Sequence, residues 1–157
     1  LANNYDGMNE KKFVAIMNKE AEKLDLTNTF FSNSSGLDPE DLKRPNNEIN
    51  LSTATDLAKL TEELLKYPFI WNILSTQKFD LFGPELENTN ELLGEIPSIL
   101  GGKTGYTERA GGCMILVLEA PKSKGYIINV ILGANGHNSR FEEMKKMTDW
   151  LNSAYKW

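Results

Sequence analysis

The sequence is nearly devoid of cysteine and histidine, the residues that build disulfide frameworks and many metal centres. It contains one of each, Cys113 and His137, in 157 residues. One cysteine cannot form an internal disulfide, and the chain has no CxxC pair or Cys/His cluster of the kind that binds zinc. We interpret Cys113 as a small apolar strand residue and His137 as a solvated loop residue.

Long apolar runs and clusters of positive charge are also missing. The longest apolar stretches, residues 113–118 and 126–132, are far shorter than the roughly 20 residues that a membrane-spanning helix needs. The formal charge is −5, from 22 acidic and 17 scattered basic residues, which argues against nucleic acid as a partner. The first residue is Leu1 and not methionine, so we expect a processed or trimmed product, in which the lack of a targeting signal is uninformative.

Apolar spacing predicts helices in the first half of the chain. With 157 residues and 40% apolar composition, the chain is long enough for one domain with its own core. Apolar residues recur every three to four positions over residues 9–24, which predicts an amphipathic helix. After a long polar loop over residues 25–50, a capping pair formed by Thr53 and Asp56 opens a second helix. This helix stops before Pro68, which begins a short third helix.

Strand signals dominate the second half of the chain. Residues 77–82 alternate weakly, whereas residues 112–119 and 124–132 are apolar runs that predict an antiparallel hairpin. A terminal helix is predicted from a capping box, Ser139 with Glu142, and from the apolar stripe that follows. The element order indicates an α/β protein of the α+β type, with an antiparallel sheet flanked by helices.

The most specific local feature is the segment GGKTGYT, residues 101–107, followed by Ala110 and Gly111. A lysine and a hydroxyl beside a main chain that Gly105 leaves uncovered would supply the charge, the donor and the close backbone edge of an anion site. A glycine-rich turn with an exposed lysine is the alternative. A phosphate-binding loop does not fit, because that motif needs a glycine where this chain has Pro97, and a helix after the lysine.

Several segments together resemble the D-alanyl-D-alanine carboxypeptidases, the low-molecular-mass penicillin-binding proteins. The similar blocks are residues 24–38 (LDLTNTFFSNSSGLD), 51–60 (LSTATDLAKL), 88–93 (NTNELL) and 102–111 (GKTGYTERAG), with the hairpin and terminal helix beyond. The resemblance implies a fold like that of β-lactamases and transpeptidases. It also implies a serine carboxypeptidase that acts on the D-Ala-D-Ala end of peptidoglycan stem peptides by acyl transfer, without a metal or cofactor.

In that family three motifs meet at one cleft: SxxK, which holds the nucleophile, SxN, and KTG. Only KTG is recognised here, and the family places the other two upstream of the position of Leu1. We therefore expect residues 1–157 to form a single partial domain that lacks the nucleophile helix and is inactive alone. The segment from Ser75 to Lys78 imitates SxxK, but we expect it to be non-catalytic because a strand there would point the two side chains to opposite faces.

The resemblance also implies roles for individual residues. Lys103 would hold the terminal carboxylate of the substrate, Thr104 would hydrogen-bond it, and the N–H of Tyr106 would be one of two oxyanion donors. Further substrate-binding candidates are Gly105, Arg140, Asn88 and Thr89. For Arg140 the alternative is a plain positive charge on the first turn of a helix, and for Asn88 and Thr89 it is an ordinary turn.

The partners implied are the peptidoglycan stem peptide, β-lactam antibiotics and the missing N-terminal segment of the same domain. Self-association through exposed apolar surface is a further expectation, and the location would be outside the cytoplasm, in the cell envelope or secreted. Two alternative functions remain open at this point: a serine β-lactamase or esterase of the same fold, and a non-catalytic domain that binds cell-wall peptides.

Overall fold

The computed structural model describes residues 2–3, 6–39, 49–96, 98–121 and 125–155. The chain divides into two compact units, residues 1–60 (unit 1) and residues 61–157 (unit 2). In the described residues no helix is both long and apolar enough to cross a membrane.

Unit 1 is built around helix α1, Glu10–Lys23, close to the predicted 9–24. The helix begins where it does because the side chain of Asn9 accepts a hydrogen bond from the N–H of Lys12, at 2.9 Å, which satisfies a free amide of the first turn. On its inner face Ala21 is buried, and Leu26 is buried just beyond the helix. The predicted helix is confirmed.

Polar side chains organise the loop of unit 1. The side chain of Asn50 accepts the N–H groups of Ser32 and Asn33, at 2.8 and 3.1 Å. The carboxylate of Asp56, which is 2% exposed, accepts the N–H of Asn28 at 2.8 Å and the hydroxyl of Thr29 at 2.9 Å. The predicted long loop is therefore ordered over its described residues, and residues 40–48 of that prediction lie outside them.

Two predicted helices follow. Helix α2 spans Ala54–Leu64, and the hydroxyl of Thr53 accepts the N–H of Asp56 at 3.2 Å, so the predicted cap is confirmed. Helix α3 spans Pro68–Leu74 with proline in its first turn, where the missing N–H costs nothing.

Unit 2 carries the sheet. Strands β3 (Ile99–Thr107), β4 (Gly111–Glu119) and β5 (Tyr126–Ala134) form a three-stranded antiparallel sheet in the order β3-β4-β5. The predicted hairpin is confirmed, although its Lys124 lies outside the described residues. Because β4 is central, β3 and β5 are the edges of this sheet among the described residues.

The weakly alternating segment 77–82 is mostly not a strand. Only β1, Lys78–Phe79, pairs with β2, Leu86–Glu87. Phe82 has φ 60°, a left-handed conformation that ends the extended chain. The predicted strand is thus wrong in its extent, because no residue of it is buried to hold a longer register.

A β-bulge interrupts the start of β3. Ile99 pairs with Leu118 and Gly101 with Val117, so β3 advances two residues while β4 advances one. Gly101 has φ +152°, and a Cβ there would lie 2.9 Å from the ring of Trp71. Only glycine fits this crowded, left-handed position.

Helix α4, Ser139–Ala154, packs against β4 and β5 and completes the core. The buried cluster consists of Leu92, Met114, Leu116, Leu118, Phe141 and Met144. The predicted capping box is wrong: Asn138 occupies the cap position in a helical conformation and has no capping hydrogen bond. Ser139 is already helical, and its hydroxyl donates to the carbonyl of Asn135 at 2.6 Å. Helices with an antiparallel sheet nevertheless confirm the α+β class.

Candidate active site

The candidate site is built on strand β3. Lys103 is exposed, whereas Thr104 is 7% exposed, in keeping with the alternation of a strand. The ammonium of Lys103 donates to the carbonyl of Thr104 at 2.5 Å. Gly102 precedes them, and a Cβ there would lie 2.6 Å from the carbonyl oxygen of Ile115. The glycine thus lets β3 approach β4 closely while Lys103 stays at the sheet edge.

The loop before β3 lies against the strand through a pair of hydroxyls. The oxygens of Thr89 and Thr104 are 2.5 Å apart, a distance typical of a short O–H···O bond. Asn88 supports the loop, because its side chain accepts the N–H of Asn90 at 2.9 Å and donates to the carbonyl of Thr76 at 3.0 Å. The structure therefore brings Thr89 into contact with Thr104, 15 residues further along the chain. Asn88 lies beside Thr89 in the same loop.

Asn90 is a further structural member of this loop. It is 2% exposed, its side-chain oxygen accepts the N–H of Leu92 at 3.1 Å, and a Cβ on Gly102 would lie 3.1 Å from its amide nitrogen. That nitrogen has no hydrogen-bond partner among the described residues. In the sequence, the position of Asn90 in the segment NTN, beside Asn88 and Thr89, indicates that it belongs to the same loop.

Arg140 reaches the same strand from helix α4. Its side chain is buried, and its Nη1 donates to the carbonyl of Gly105 at 2.8 Å. Its Nη2 lies 3.0 Å from Nε2 of His137. Arg140 lies in the first turn of α4, as the alternative interpretation states, but it is buried against the strand that carries Lys103. A role for it in substrate binding stays a prediction.

His137 was predicted to be a solvated loop residue. It is exposed, but it is not independent of the site. Besides meeting Arg140, its ring lies edge-on to that of Tyr106, with centroids 5.3 Å apart. The sequence indicates this contact only through spacing: His137 precedes Arg140 by three residues, so both lie at the start of helix α4.

Ser75 and Lys78 do not form an SxxK pair on one helix. Ser75 follows the last residue of α3, and its hydroxyl donates to the carbonyl of Asn72 at 3.2 Å. Lys78 is in β1 and makes ion pairs with Glu85 and Glu87, each at 2.8 Å. The side-chain hydrogen bond to Glu85, then that to Glu87, raises the pKa of Lys78 above its ordinary value. A lysine so stabilised in its charged form is a poor proton acceptor.

A second SxxK match at the end of the chain was missed. Ser153 lies in the last turn of α4, and its hydroxyl donates to the carbonyl of Trp150 at 2.9 Å. Its lysine, Lys156, lies outside the described residues.

No cluster of three or more potential metal ligands occurs among the described residues.

The comparison with known proteins agrees with the geometry. Residues 1–136 match the family model described as D-alanyl-D-alanine carboxypeptidase. Among curated relatives, the chain is 36% identical to D-alanyl-D-alanine carboxypeptidase DacF of Bacillus subtilis, over 94% of this chain and 36% of that protein. It is 33% identical to D-alanyl-D-alanine carboxypeptidase DacC of Escherichia coli, over 93% of this chain and 34% of that protein. The chain thus spans about a third of the length of these relatives.

Solved structures show the same fold. Penicillin-binding protein D2 of Listeria monocytogenes, in its cefotaxime-bound form, is similar with a TM-score of 0.79 and 30% identity, over 94% of this chain and 57% of that one. Penicillin-binding protein 6B of Escherichia coli is similar with a TM-score of 0.77 and 30% identity, over 95% of this chain and 44% of that one. The expected penicillin-binding-protein fold is confirmed.

Proposed function

The chain belongs to the D-alanyl-D-alanine carboxypeptidase family, and we propose that it supplies the KTG side of a serine D,D-carboxypeptidase active site. The substrate would be the D-Ala-D-Ala end of a peptidoglycan stem peptide. Because that polymer is the cell wall, the protein would act outside the cytoplasm. β-Lactam antibiotics would acylate the same site.

The observation that carries this proposal is the arrangement on β3. An exposed lysine, Lys103, and a hydroxyl held by a second hydroxyl, Thr104 with Thr89, lie on a strand at the edge of the sheet. Within the Thr104–Thr89 pair one proton is shared, so the other hydroxyl proton is free to donate to a ligand. The exposed ammonium of Lys103 at the edge of the strand supplies the positive charge that suits a carboxylate.

The reaction would proceed by acyl transfer. A serine oxygen attacks the carbonyl carbon of the penultimate D-Ala and forms an ester, while the C–N bond breaks and D-Ala leaves with the proton from the serine. Water then hydrolyses the ester and regenerates the serine. Lys103 would balance the terminal carboxylate, and the N–H of Tyr106 would stabilise the oxyanion of both tetrahedral intermediates.

The nucleophile is the part that these residues do not supply, so we propose that the 157-residue chain alone is inactive. The test is release of D-Ala and labelling by a fluorescent penicillin, measured on the chain and on the longest polypeptide that its gene encodes. We expect the second to react if it contains SxxK and SxN. If that polypeptide carries both motifs and neither releases D-Ala nor takes the label, the proposed function is wrong.

The variants Ser75→Ala and Ser153→Ala serve as controls in the same assay. Neither should change the rate. Turnover by the 157-residue chain that disappears in one of them would show that this serine is the nucleophile. Faster turnover of penicillin than of the D-Ala-D-Ala peptide would instead indicate a β-lactamase.

A non-catalytic domain that binds cell-wall peptides is the second candidate. The observation in its favour is that the candidate anion site on β3 is present, while Lys78 is paired with Glu85 and Glu87 and cannot serve Ser75. Calorimetric binding of a D-Ala-D-Ala peptide without D-Ala release, by the longest encoded polypeptide, would support this candidate over the enzyme.

A further inference from the structure

The peptide group between Gly105 and Tyr106 is held from one side by the start of helix α4. The Nη1 of Arg140 donates to the carbonyl of Gly105 at 2.8 Å. This carbonyl and the N–H of Tyr106 belong to the same peptide group. Because the peptide is planar and trans, that N–H points opposite to the carbonyl.

It follows that Arg140, together with the pairing of β3 with β4, fixes the direction of the proposed oxyanion donor. A hydrogen bond from a charged donor is stronger than a neutral one and restricts the orientation of its acceptor. Drawing electron density toward the carbonyl oxygen also strengthens the N–H on the other side of the group. The guanidinium thus acts on the site through the backbone.

Besides the carbonyl of Gly105, Arg140 meets one further hydrogen-bond partner among the described residues, the imidazole of His137. The side chain is 2% exposed, and its Nε has no hydrogen-bond partner among the described residues. Its guanidinium carbon lies 4.7 Å from the ring centre of Phe141. Its Nη2 meets Nε2 of His137 at 3.0 Å. A buried cation with few partners depends strongly on each acceptor it has.

The protonation of His137 follows from these contacts. Arginine can only donate, so Nε2 of His137 must accept and carry no proton. The proton is then on Nδ1, which lies 2.8 Å from the side-chain oxygen of Asn138. In this tautomer both ring nitrogens have partners of the correct kind.

We propose that His137 is a positioning residue for the reaction: its unprotonated Nε2 holds Arg140, and thereby orients the Gly105–Tyr106 peptide and its N–H. This inference rests on the proposed function for its effect on rate. Its structural part does not, since the contact between His137 and Arg140 exists without substrate.

Two variants separate the hydrogen bond from the ring contact with Tyr106. His137→Gln keeps an acceptor for Arg140 but removes the ring, whereas His137→Phe keeps the ring and removes the acceptor. His137 is exposed, so both proteins should fold.

The rate of acylation by a fluorescent penicillin is measured in the longest polypeptide that the gene encodes. We expect about a tenfold or greater loss for His137→Phe, because a misoriented oxyanion donor loses part of the hundredfold or more that such a donor contributes. The acylation rate of His137→Gln should remain within about threefold of that of the parent, because the amide oxygen of glutamine can still accept a hydrogen bond from Arg140. An unchanged rate in His137→Phe, or an equal loss in both variants, overturns the proposal.

A spectroscopic measurement tests the structural part independently. His137 is the single histidine of the chain, so its imidazole nitrogens are assigned directly in a ¹⁵N-correlated spectrum of the 157-residue protein. We expect the Nδ1–H tautomer at neutral pH, and a shift of the Tyr106 amide signal that is larger in His137→Phe than in His137→Gln. A proton on Nε2, or an unmoved Tyr106 signal in His137→Phe, overturns the proposal even if no penicillin is bound. Failure of the parent to take the label would instead count against the proposed function.

Discussion

Unit 1 and unit 2 are each stabilised internally by a different kind of interaction. In unit 1, side chains such as Glu10, Asn50 and Asp56 replace regular backbone pairing by accepting loop N–H groups. In unit 2, apolar side chains from the sheet and helix α4 form one buried cluster. The stability of unit 2 comes from many weak apolar contacts, whereas the stability of unit 1 depends on a few specific hydrogen bonds.

The difference extends to function. All the candidate site residues lie in unit 2: Asn88, Thr89, Lys103, Thr104, Gly105, Tyr106 and Arg140. The site therefore uses the part of the chain whose backbone is fixed by apolar packing. Substitutions in each unit should therefore distinguish residues that affect the free energy of unfolding from residues that affect the rate of the reaction.

The largest effect on stability is expected in the core of unit 2. Leu116, on the central strand β4, is fully buried, so Leu116→Ala should lower the free energy of unfolding by about 2–5 kcal/mol. Urea denaturation measures this loss. Leu132→Ala on β5, at a residue that is 41% exposed, is the matched control and should cost clearly less. Equal losses in the two variants would show that β4 is not the centre of the core.

The next effect concerns chemistry in unit 2. Lys103→Ala should reduce D-Ala release by the longest encoded polypeptide about 10²- to 10³-fold, since a positioned charge at the transition state is removed. Lys59→Ala, in unit 1, is the control, because Lys59 is an exposed lysine that bonds Asp25, to its carbonyl at 3.0 Å and to its carboxylate at 3.9 Å. A rate within threefold of the parent for Lys103→Ala would contradict the role of the KTG strand.

A smaller loss is expected from a buried hydrogen bond of unit 1. Asp56→Ala leaves the N–H of Asn28 and the hydroxyl of Thr29 without their acceptor, which should cost about 1–3 kcal/mol. Faster hydrogen exchange of the Asn28 amide would localise the effect. Asp25→Asn is the control, because Asp25 is an exposed partner of Lys59 at 3.9 Å and such pairs contribute little. An unchanged Asn28 amide in Asp56→Ala would show that the loop does not depend on this carboxylate.

The smallest effect is a pH dependence of unit 1. The hydrogen bond from the N–H of Ser34, and then that from its hydroxyl, lowers the pKa of Glu10 below its ordinary value. The resulting stability is present above the pKa of the unfolded chain, about 4.3, and is lost as the pH falls through the lower folded value. Exchange of the Ser34 amide should therefore lose protection in acid. In Glu10→Gln the protection should not change over that range, and a parallel acid response there would exclude Glu10 as the cause.

Much of the regular structure could be predicted from periodicity. Helix α1 and the β4–β5 hairpin could be predicted from apolar spacing, and the start of α2 from its cap. The KTG strand was found through its motif and its resemblance, not through its pattern. In each of these cases the information is local, so the sequence carries it directly.

Other features depend on contacts between distant residues. The strand predicted over residues 77–82 is short because none of its side chains is buried. The predicted capping box fails because helix α4 already begins at Ser139, so Asn138 and not Ser139 occupies the cap position. The link from His137 through Arg140 to Gly105 joins residues about 35 positions apart, and no local spacing encodes it. The site was therefore predictable as a motif but not as a network.

The bulge at the start of β3 sets which way every later side chain of the strand faces. It adds one residue between Ile99 and Gly101, and the side chains of a strand alternate with a period of two. Shortening the strand by that single residue, with the pairing of its beginning retained, would exchange the faces of Lys103 and Thr104. The lysine would then be directed at the core and the threonine at solvent. The strand can thus tolerate a change of residue type at Leu100 far better than the loss of one residue there.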